Sequence, residues 1–520
     1  MIKFSSLKAL LTKRNIALIL ILILAAYLRL YKIADYMSFL GDEGRDALVV
    51  YGILHGKLTL LGPTASVGGF FLGPIYYYMI APFFFLFNYS PLGPAVFIAL
   101  LSIATVWLIY KIGAEFFDYK VGLIAAFLYS IAPVIITYAH SSWNPNPLPF
   151  FSLLTLYVLY KALIKDKVVL FLLTGFLLGI DIQLHYLVLF LGVIVFFYVL
   201  FMEFFNKKKA GIINLLKKYL LMLAGFLVGF SPFLAFEARH DFLNIRNIIS
   251  FIFKSGDTGG NVHFFSTVSN VFFRVFGDLV FAFPADTSHF DKIFILDWSI
   301  GIVIFALLSV IILVSKLILS VETKMFPRYL LLFFWLFFGV ALFGLYKKNI
   351  YDYYFGFMFP LPFFLSAITI AYFIEKKDVV VKILGGLMLI SILAFNLQKD
   401  LARGAPNRQF FQMEEISKFV LSKTDNKPFN FALITGGNSD FAYRYFFTIW
   451  NHEPVTIENA QNDPQRKTVT DQLLVVCESL PCQPLGHPLW EIAGFGRAEL
   501  AGEWNVSVVK VYRLTHYKLK

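Results

Sequence analysis

The chain has few charged residues for its length. Charged side chains make up 15% of its 520 residues, whereas hydrophobic side chains make up 58%. A soluble chain of this size could not cover its surface with so few charges, but a chain surrounded by lipid does not need them. The composition therefore excludes a soluble globular domain and predicts a polytopic integral membrane protein.

Cysteine is also scarce. Cys477 and Cys482 are the two in the sequence, and both lie in its polar C-terminal part. Structural zinc would need more ligands at a suitable spacing. We predict no cofactor, with a divalent metal ion as the open alternative. A small disulfide, which would require a location outside the cytoplasm, and two free thiols are both open.

Long apolar runs are abundant instead. Each spans roughly 17–25 residues, which is enough to cross about 30 Å of hydrocarbon. We predict 11 spans, with 13 as the alternative. The stretches 71–88 and 93–110 must together supply one net crossing, and prolines interrupt them, so we expect one of the two to be partial or re-entrant.

The net charge of +12 is typical either of nucleic-acid binding or of membrane topology. The basic residues cluster in short loops between apolar spans, as the positive-inside rule predicts, so we expect no nucleic-acid partner. Lys3, Lys8, Lys13 and Arg14 precede the first apolar run and place the N-terminus in the cytoplasm of a multi-pass plasma-membrane protein. The other loops predicted to be inside carry lysines at 161–167, 207–218, 316–328 and 376–382. The segments predicted to be outside are 36–69, 140–147, 181–186 and 238–291.

The last 121 residues differ from the rest in character. Turn signals and short β-rich runs replace the long apolar spans. We predict strands at 429–434, 472–477 and 506–514 and a helix at 414–421. The chain is thus divided into a transmembrane domain, 1–399, whose first external loop is 31–70, and a small extracytoplasmic α/β domain, 400–520.

The first external loop contains adjacent acids. It reads Leu-Gly-Asp-Glu-Gly-Arg-Asp over residues 40–46, with Asp42 and Glu43 just past a membrane helix. Placing ionisable side chains so close to lipid costs free energy, so such residues commonly have a function. A carboxylate there could accept a proton from a hydroxyl nucleophile or hold a cation. The alternative is an ordinary solvated loop.

A second external segment, 140–147, combines an imidazole, an indole and two amides. These belong to His140, Trp143, Asn144 and Asn146. Two X-Pro steps make the entry to the next helix extended, and either asparagine could simply cap that helix. The functional interpretation is that the aromatic face and the amides line a sugar site.

Polar residues also interrupt a long apolar stretch at 181–186. Gln183 and His185 are two residues apart and could face a common cavity, with Tyr186 beside them. The alternative is a hairpin turn at the membrane interface, with Tyr186 as its anchor.

A basic pair follows the apolar span at 219–236. Arg239 and His240 lie at the predicted outer membrane surface. The planar guanidinium of arginine matches phosphate oxygens, so the pair could clamp the phosphate of a substrate or anchor nonspecifically to lipid head groups.

These segments share the outer side of the membrane, and together they resemble a known family. The Asp-Glu loop, the following Gly-Pro-Ile-Tyr-Tyr-Tyr and the later Tyr-Ala-His-Ser-Ser-Trp-Asn-Pro-Asn-Pro resemble membrane glycosyltransferases of the GT-C fold. In particular they resemble the dolichyl-phosphate-mannose protein mannosyltransferases and the aminoarabinose lipid A transferases. By topology the resemblance covers roughly residues 10–400. For that part it implies an all-α polytopic membrane fold, whereas the small C-terminal α/β domain is predicted from the turn signals and β-rich runs alone.

The resemblance also implies an activity. A hexosyl or pentosyl group would move from a polyprenyl-phosphate carrier to a lipid, glycan or protein acceptor on the extracytoplasmic face. Asp42 would act as the base, with Glu43 next to it, in one inverting displacement. Arg239 would stabilise the leaving phosphate, with His240 and Arg45 behind it.

Departures from the family concern the sugar and the acceptor. Leu72-Gly73-Pro74 stands where the aminoarabinose enzymes commonly carry Lys-Pro, and the Trp-Asn-Pro-Asn-Pro segment replaces a second acid. The large lumenal modules of the protein mannosyltransferases are missing from this sequence.

Two other functions stay open. One is a transporter or flippase of a lipid-linked or small polar substrate. Such proteins place polar residues near the bilayer midplane, whereas here they gather at one face. The other is a glycan polymerase or ligase, which the sequence does not separate from a single-sugar transferase.

Overall fold

The computed structural model describes residues 12–205, 211–254, 256–260, 262–284, 286–398 and 405–517. The predicted domain boundary at 399–400 lies outside these residues, as do Lys3, Lys8 and the lysines at 207–209. Within the described ranges the chain is mostly helical, and a small sheet follows at the C-terminal end. The predicted fold class, an all-α membrane protein with a small α/β part, is confirmed.

The helices before residue 400 are α1 (Lys13–Leu30), α2 (Ile33–Tyr36), α3 (Gly41–Leu54), α4 (Ile75–Leu86), α5 (Leu92–Phe116), α6 (Tyr119–Ile131), α7 (Pro133–Ala139), α8 (Leu148–Lys165), α9 (Val168–Leu184), α10 (Leu189–Phe205), α11 (Ile212–Gly229), α12 (Ser231–Arg239), α13 (Leu243–Phe253), α14 (Phe264–Val280), α15 (Lys292–Leu319), α16 (Phe326–Ala341), α17 (Leu361–Ile374) and α18 (Val379–Gln398). Short 3₁₀ segments lie at Tyr186–Val188, Leu342–Leu345 and Asp352–Met358.

Seven of the described helices are long and apolar enough to cross a membrane, or up to nine if each of two bent pairs is one span. Helices α1, α4 and α9 fall short of that test, since α1 carries three basic residues and the other two have fewer than 18 residues. Helix α4 has 12 residues, about 18 Å, and contains Pro82. It is the partial element expected between residues 71 and 110. If α4 does not cross and each of the other candidates crosses once, the number is the predicted 11.

Side-chain contacts divide the bundle into two ends. At one end, Lys120 pairs with Glu375 at 2.9 Å, and Arg328 donates to the carbonyl of Phe116 at 2.6 Å. Arg328 belongs to the loop 316–328, and Glu375 adjoins the loop 376–382, both of which the charge pattern predicts to be inside. The opposite end carries the segments predicted to be outside, and we call it the outer end. The compartment that it faces stays a prediction.

A buried arginine braces the bundle where a helix breaks. Pro133 has no N–H to donate to the carbonyl of Tyr129, and α6 and α7 meet there at an angle of 65°. Arg29 of α1 is fully buried and donates to the carbonyls of Tyr129 (3.3 Å) and Ser130 (2.9 Å). Its guanidinium therefore satisfies acceptors that the break leaves unpaired, and the break directs the chain toward His140 at the outer end.

The C-terminal part forms a four-stranded sheet with the order β1-β2-β4-β3. Its strands are β1 (Asn430–Ile434), β2 (Gln472–Cys477), β3 (Ala498–Val506) and β4 (Val509–His516), and its helices are α19 (Gln409–Ser422), α20 (Phe441–Ile449) and α21 (Trp490–Ala493). Strands β1 and β2 are parallel, and the other pairs are antiparallel. The predicted strands and helix are present, whereas β3, whose residues are mostly exposed, was not predicted. A disulfide joins Cys477 to Cys482, which settles the choice left open between a disulfide and free thiols.

Candidate active site at the outer end

The acidic segment 40–46 is a helix start and not the loop expected from the sequence. Helix α3 begins at Gly41, and the Oε2 atom of Glu43 accepts a hydrogen bond from the backbone N–H of Leu40 at 3.1 Å. This is the glutamate half of a capping box. Asp42 and Glu43 both lie in the first turn, where the helix dipole favours negative charge.

Three carboxyl groups of this turn differ in exposure. The side chain of Asp42 is 52% exposed, that of Glu43 is half-buried and that of Asp46 is buried. Burial raises the pKa of Glu43, and it raises the pKa of Asp46 to about 7 despite the neighbouring guanidinium of Arg45. Arg45 donates to Asp42 at 2.8 Å and to Asp46 at 2.8 and 2.9 Å. Asp42 is thus the carboxylate of this turn that a substrate could reach.

The second predicted segment packs against this turn. The hydroxyl of Ser141 donates to Oε1 of Glu43 at 2.8 Å, and the hydroxyl of Ser142 lies 2.7 Å from that of Tyr76. The half-buried ring of Trp143 lies edge-on to Tyr353, with 4.4 Å between ring centroids. The structure therefore brings Trp143 and the acidic turn to the same end of the bundle.

The amides of this segment hold the backbone. Asn144 donates to the carbonyl of Leu184 at 2.8 Å, and Asn146 donates to the carbonyls of Tyr138 and Ser141. His140 is buried, and burial lowers its pKa to about 4, so its ring is neutral at pH 7. Both asparagines therefore hold the loop, and neither caps α8, whose N-cap residue is Pro147, so the capping alternative is wrong. Contact with a sugar stays a prediction.

The predicted pair Gln183 and His185 does not open onto a common cavity. Gln183 is buried, and its amide donates to the carbonyls of Gly179 and Gly229, both at 2.8 Å, which ties α9 to α11. A Cβ atom at Gly73 would lie 2.2 Å from the Gln183 side chain. A larger residue at position 73 would therefore have to displace the Gln183 side chain. Burial lowers the pKa of His185 to about 3, and its Nδ1 accepts a hydrogen bond from the N–H of Leu187.

Aromatic rings surround His185. Tyr186 stacks on its imidazole with 4.7 Å between centroids, and the rings of Tyr353 and Tyr354 lie 5.7 and 5.2 Å away. The hydroxyl of Tyr186 lies 3.1 Å from that of Tyr346. The cluster links the Trp143 segment to a large apolar cavity, because Tyr186 and Tyr346 line that cavity.

The cavity has a volume of about 550 Å³ and almost entirely apolar walls. Its walls come from α9 to α13, from residues 70–73 and from the segment after α16. Lining side chains include Phe190, Val193, Phe226, Phe230, Phe233, Ile245, Ile248, Phe251 and Ile252. An elongated hydrocarbon is the kind of ligand that such walls favour.

The predicted basic residues lie in different surroundings. Arg239 ends α12, the helix whose Phe233 lines the cavity, and its side chain is exposed. His240 is exposed, stacks on Phe236 at 3.9 Å and bonds to its carbonyl. Arg45, in contrast, is held between Asp42 and Asp46.

Sequence reasoning missed the segment that follows α16. Tyr346 lines the cavity, and the exposed Lys347 is its neighbour in the chain. Lys348 pairs with Asp257 at 3.1 Å, and Thr258 and Tyr346 form a β-bridge. Two apolar runs separate the predicted inside loops 316–328 and 376–382, so the short segment that joins these runs, with Lys347 and Lys348, should lie outside. Two adjacent lysines there run against the positive-inside rule, and that exception was the signal available in the sequence.

We find no group of three or more His, Cys, Asp or Glu side chains that could hold a metal ion in the ranges that the structure describes. The prediction of no cofactor stays a prediction.

A family model described as dolichyl-phosphate-mannose-protein mannosyltransferase matches residues 72–236. The crystal structure of ArnT from Cupriavidus metallidurans bound to undecaprenyl phosphate superposes with a TM-score of 0.61 at 12% identity, covering 95% of this chain and 97% of ArnT. The archaeal oligosaccharyltransferase AglB from Archaeoglobus fulgidus, in complex with an inhibitory peptide and a dolichol-phosphate, gives a TM-score of 0.51 at 13% identity, covering 89% of this chain and 69% of AglB. No curated protein matches by sequence.

These findings confirm the predicted resemblance. The matched family is the one inferred from the motifs, and the match includes the Trp-Asn-Pro-Asn-Pro segment and residues 183–186. The chain has the GT-C fold of ArnT and AglB.

Proposed function

We propose that the chain is a glycosyltransferase that moves a sugar from a polyprenyl-phosphate carrier to a lipid, glycan or protein acceptor at the outer end of the bundle. The observation that carries the proposal is the apolar cavity of about 550 Å³, whose wall includes the hydroxyl pair of Tyr186 and Tyr346 next to Lys347. The family match and the lipid phosphates named for ArnT and AglB support the same donor class.

The donor lipid would enter the cavity with its hydrocarbon chain. Each buried methylene group contributes about 0.8 kcal/mol, so an apolar cavity of this size favours a long chain. The phosphate would then lie at the polar edge, within reach of Lys347 and of the tyrosine hydroxyls. Arg239 and His240, on the neighbouring α12, are the other candidates for the phosphate.

The carboxylate of Asp42 would act as the base. It would take the proton from the acceptor hydroxyl as that oxygen attacks the anomeric carbon, and the bond from that carbon to the phosphate oxygen would break. Polyprenyl phosphate leaves with the electron pair, and the anomeric configuration inverts. Arg45, which donates to Asp42 at 2.8 Å, keeps this carboxylate oriented.

The other predicted residues have supporting roles in this proposal. Glu43 holds the first turn of α3, Trp143 supplies an aromatic face for the sugar, and the buried His185 packs the tyrosines around it. His140, Asn144, Asn146 and Gln183 shape the two outer segments through their burial and backbone hydrogen bonds.

The experiment is a donor panel. Purified protein in lipid is incubated with radiolabelled polyprenyl-phosphate sugars, with lipid-linked oligosaccharides and with an extract of envelope lipids as acceptor. Transfer from a single-sugar donor supports the proposal, and transfer from an oligosaccharide donor alone favours the polymerase or ligase. Movement of a labelled lipid across the bilayer without transfer favours the transporter and contradicts the proposal.

A further inference from the structure

The C-terminal sheet holds the acidic helix at the edge where α/β domains commonly bind ligands. Strands β1 and β2 are parallel, so the residues that follow them meet at one edge of the sheet. The loop after β1 contains Asn438, and Glu478 follows β2 directly. What lies against this edge is the first turn of α3.

Asn438 bonds to the first residue of that helix. Its Oδ1 atom accepts a hydrogen bond from the backbone N–H of Gly41 at 2.9 Å and a second one from the N–H of Ser439, also at 2.9 Å. The N–H of Gly41 is one of the helix-terminal donors that have no partner within the helix. A side chain 397 residues away in the sequence therefore caps α3 one residue before Asp42.

Glu478 fixes the orientation of the Asn438 amide. The Nδ2 atom of Asn438 donates to both carboxylate oxygens of Glu478, at 3.0 and 3.2 Å, and the hydroxyl of Tyr443 donates to one of them at 2.8 Å. An ionised carboxylate only accepts hydrogen bonds, so it turns the NH₂ group of the amide toward itself and the oxygen toward Gly41. The disulfide at Cys477 adjoins Glu478 and closes the loop that carries it.

The fit between the two parts is close. A Cβ atom at Gly41 would lie 2.0 Å from Oγ of Ser439, and one at Gly44 would lie 2.3 Å from the backbone N of Ala442. Glycines at both positions let the backbone of α3 touch the start of α20. A shift of the C-terminal part would therefore move the turn that carries Asp42.

We infer that Asn438 and Glu478 are positioning residues, which hold the first turn of α3, and through it the carboxylate of Asp42, in the geometry that the transfer reaction needs. This inference rests on the proposed function. It assigns to the C-terminal part a role in catalysis that acts through Asp42.

An exchange of charge between the two positions tests the inference. Asn438→Asp places two carboxylates side by side, and Glu478→Gln lets the Asn438 amide turn over; each disturbs the cap of Gly41. In the double variant the aspartate at position 438 can again accept from the N–H of Gly41. The glutamine amide at position 478 then donates to this aspartate, which reverses the direction of the hydrogen bond between the two side chains. We expect each single variant to lower kcat roughly 10- to 100-fold with the donor KM nearly unchanged, and the double variant to recover most of kcat.

Hydrogen exchange of the whole protein in lipid supplies a readout that does not depend on activity. Exchange should rise in residues 41–46 of both single variants, stay unchanged in α5 and return to the wild-type rate in the double variant. Asn505→Asp, at an exposed position of β3, is the matched control and should change neither quantity.

The outcomes are distinct. Unchanged exchange in the single variants, a fall in kcat that the double variant does not recover, or faster exchange without any fall in kcat would each overturn the inference. Wild-type protein that transfers no sugar would overturn the proposed function instead. The exchange rates would then still decide whether Asn438 holds the turn.

Discussion

The Oε1 atom of Glu43 accepts a hydrogen bond from the Ser141 hydroxyl at 2.8 Å, across 98 residues of sequence. The other oxygen of the same carboxyl group caps α3 through the N–H of Leu40. One half-buried side chain therefore joins the start of the acidic helix to the segment that carries Trp143. Its role is to hold the outer end together, whereas the exposed Asp42 beside it is available for chemistry.

Removal of the Glu43 carboxyl should destabilise the protein. Glu43→Ala leaves the N–H of Leu40 and the hydroxyl of Ser141 without their partner in a partly buried place, so we expect a loss of about 1–3 kcal/mol in the free energy of unfolding. Glu43→Gln, which can still accept from Leu40, should lose less. Thermal unfolding in detergent measures both. An Ala variant as stable as the wild type would show that the hydrogen bonds do not hold the turn.

Asp46 should make stability depend on pH. Burial raises its pKa from 3.8 to about 7, so between these values the folded protein holds a proton that the unfolded chain has lost. The resulting stabilisation is complete below pH 3.8 and is lost as the pH rises through 7. We expect the unfolding temperature to fall across this window, and to fall less in Asp46→Asn.

The control for this pH series is Glu414→Gln, which removes a carboxyl from α19. Its pH dependence should match that of the wild type. An identical slope in Asp46→Asn and the wild type would contradict the assignment of the proton to Asp46.

Filling the apolar cavity should weaken donor binding. Ile248 of α13 lines the cavity, whereas its neighbour Ile249 does not and is 49% exposed. We expect Ile248→Trp to raise the KM for a polyprenyl-phosphate donor roughly tenfold, about 1.4 kcal/mol, because its indole occupies space that the lipid chain needs. Ile249→Trp adds the same group outside the cavity and should leave KM unchanged. Equal KM values in the two variants would place the lipid elsewhere.

A methyl group at Gly44 should separate α3 from α20. Its carbon would lie 2.3–2.6 Å from backbone atoms of Phe441 and Ala442, which cannot move aside as a flexible side chain could. We expect Gly44→Ala to cost about 1–3 kcal/mol and to speed hydrogen exchange in α20. At Gly52 of the same helix the nearest atom would be 3.6 Å away, so Gly52→Ala should be neutral or stabilising by up to about 1 kcal/mol. Equal effects of the two substitutions would argue against the close fit.

The segments of the site could be predicted from the sequence, because they are short polar stretches at the ends of apolar runs, and such stretches are visible without knowledge of the tertiary structure. Asp42, Trp143 and His185 lie at the outer end, where charge patterning predicts them, and the partial helix α4 follows from the prolines around it. The strands β1 and β2 also follow from short β-rich runs.

What the sequence could not reveal depends on tertiary contacts. Helix α3 begins after Leu40, which has no capping side chain, so its start carries no local N-cap signal. In the sequence Gln183 looks like a polar residue available to a ligand. Its amide is in fact used by the carbonyls of Gly179 and Gly229, and the second of these belongs to another helix. The contact between Gly41 and Asn438 joins positions 397 residues apart, and no periodicity in the sequence predicts it.

The most direct test of the central claim is the transfer rate of the wild type and of Asp42→Asn with one active polyprenyl-phosphate donor, measured at equal amounts of folded protein. Glu414→Gln serves as the control for the loss of a distant carboxylate. We predict that Asp42→Asn lowers kcat by at least about 100-fold with a nearly unchanged donor KM, because the amide cannot accept the proton of the acceptor hydroxyl. Equal turnover by the wild type and Asp42→Asn would contradict the account.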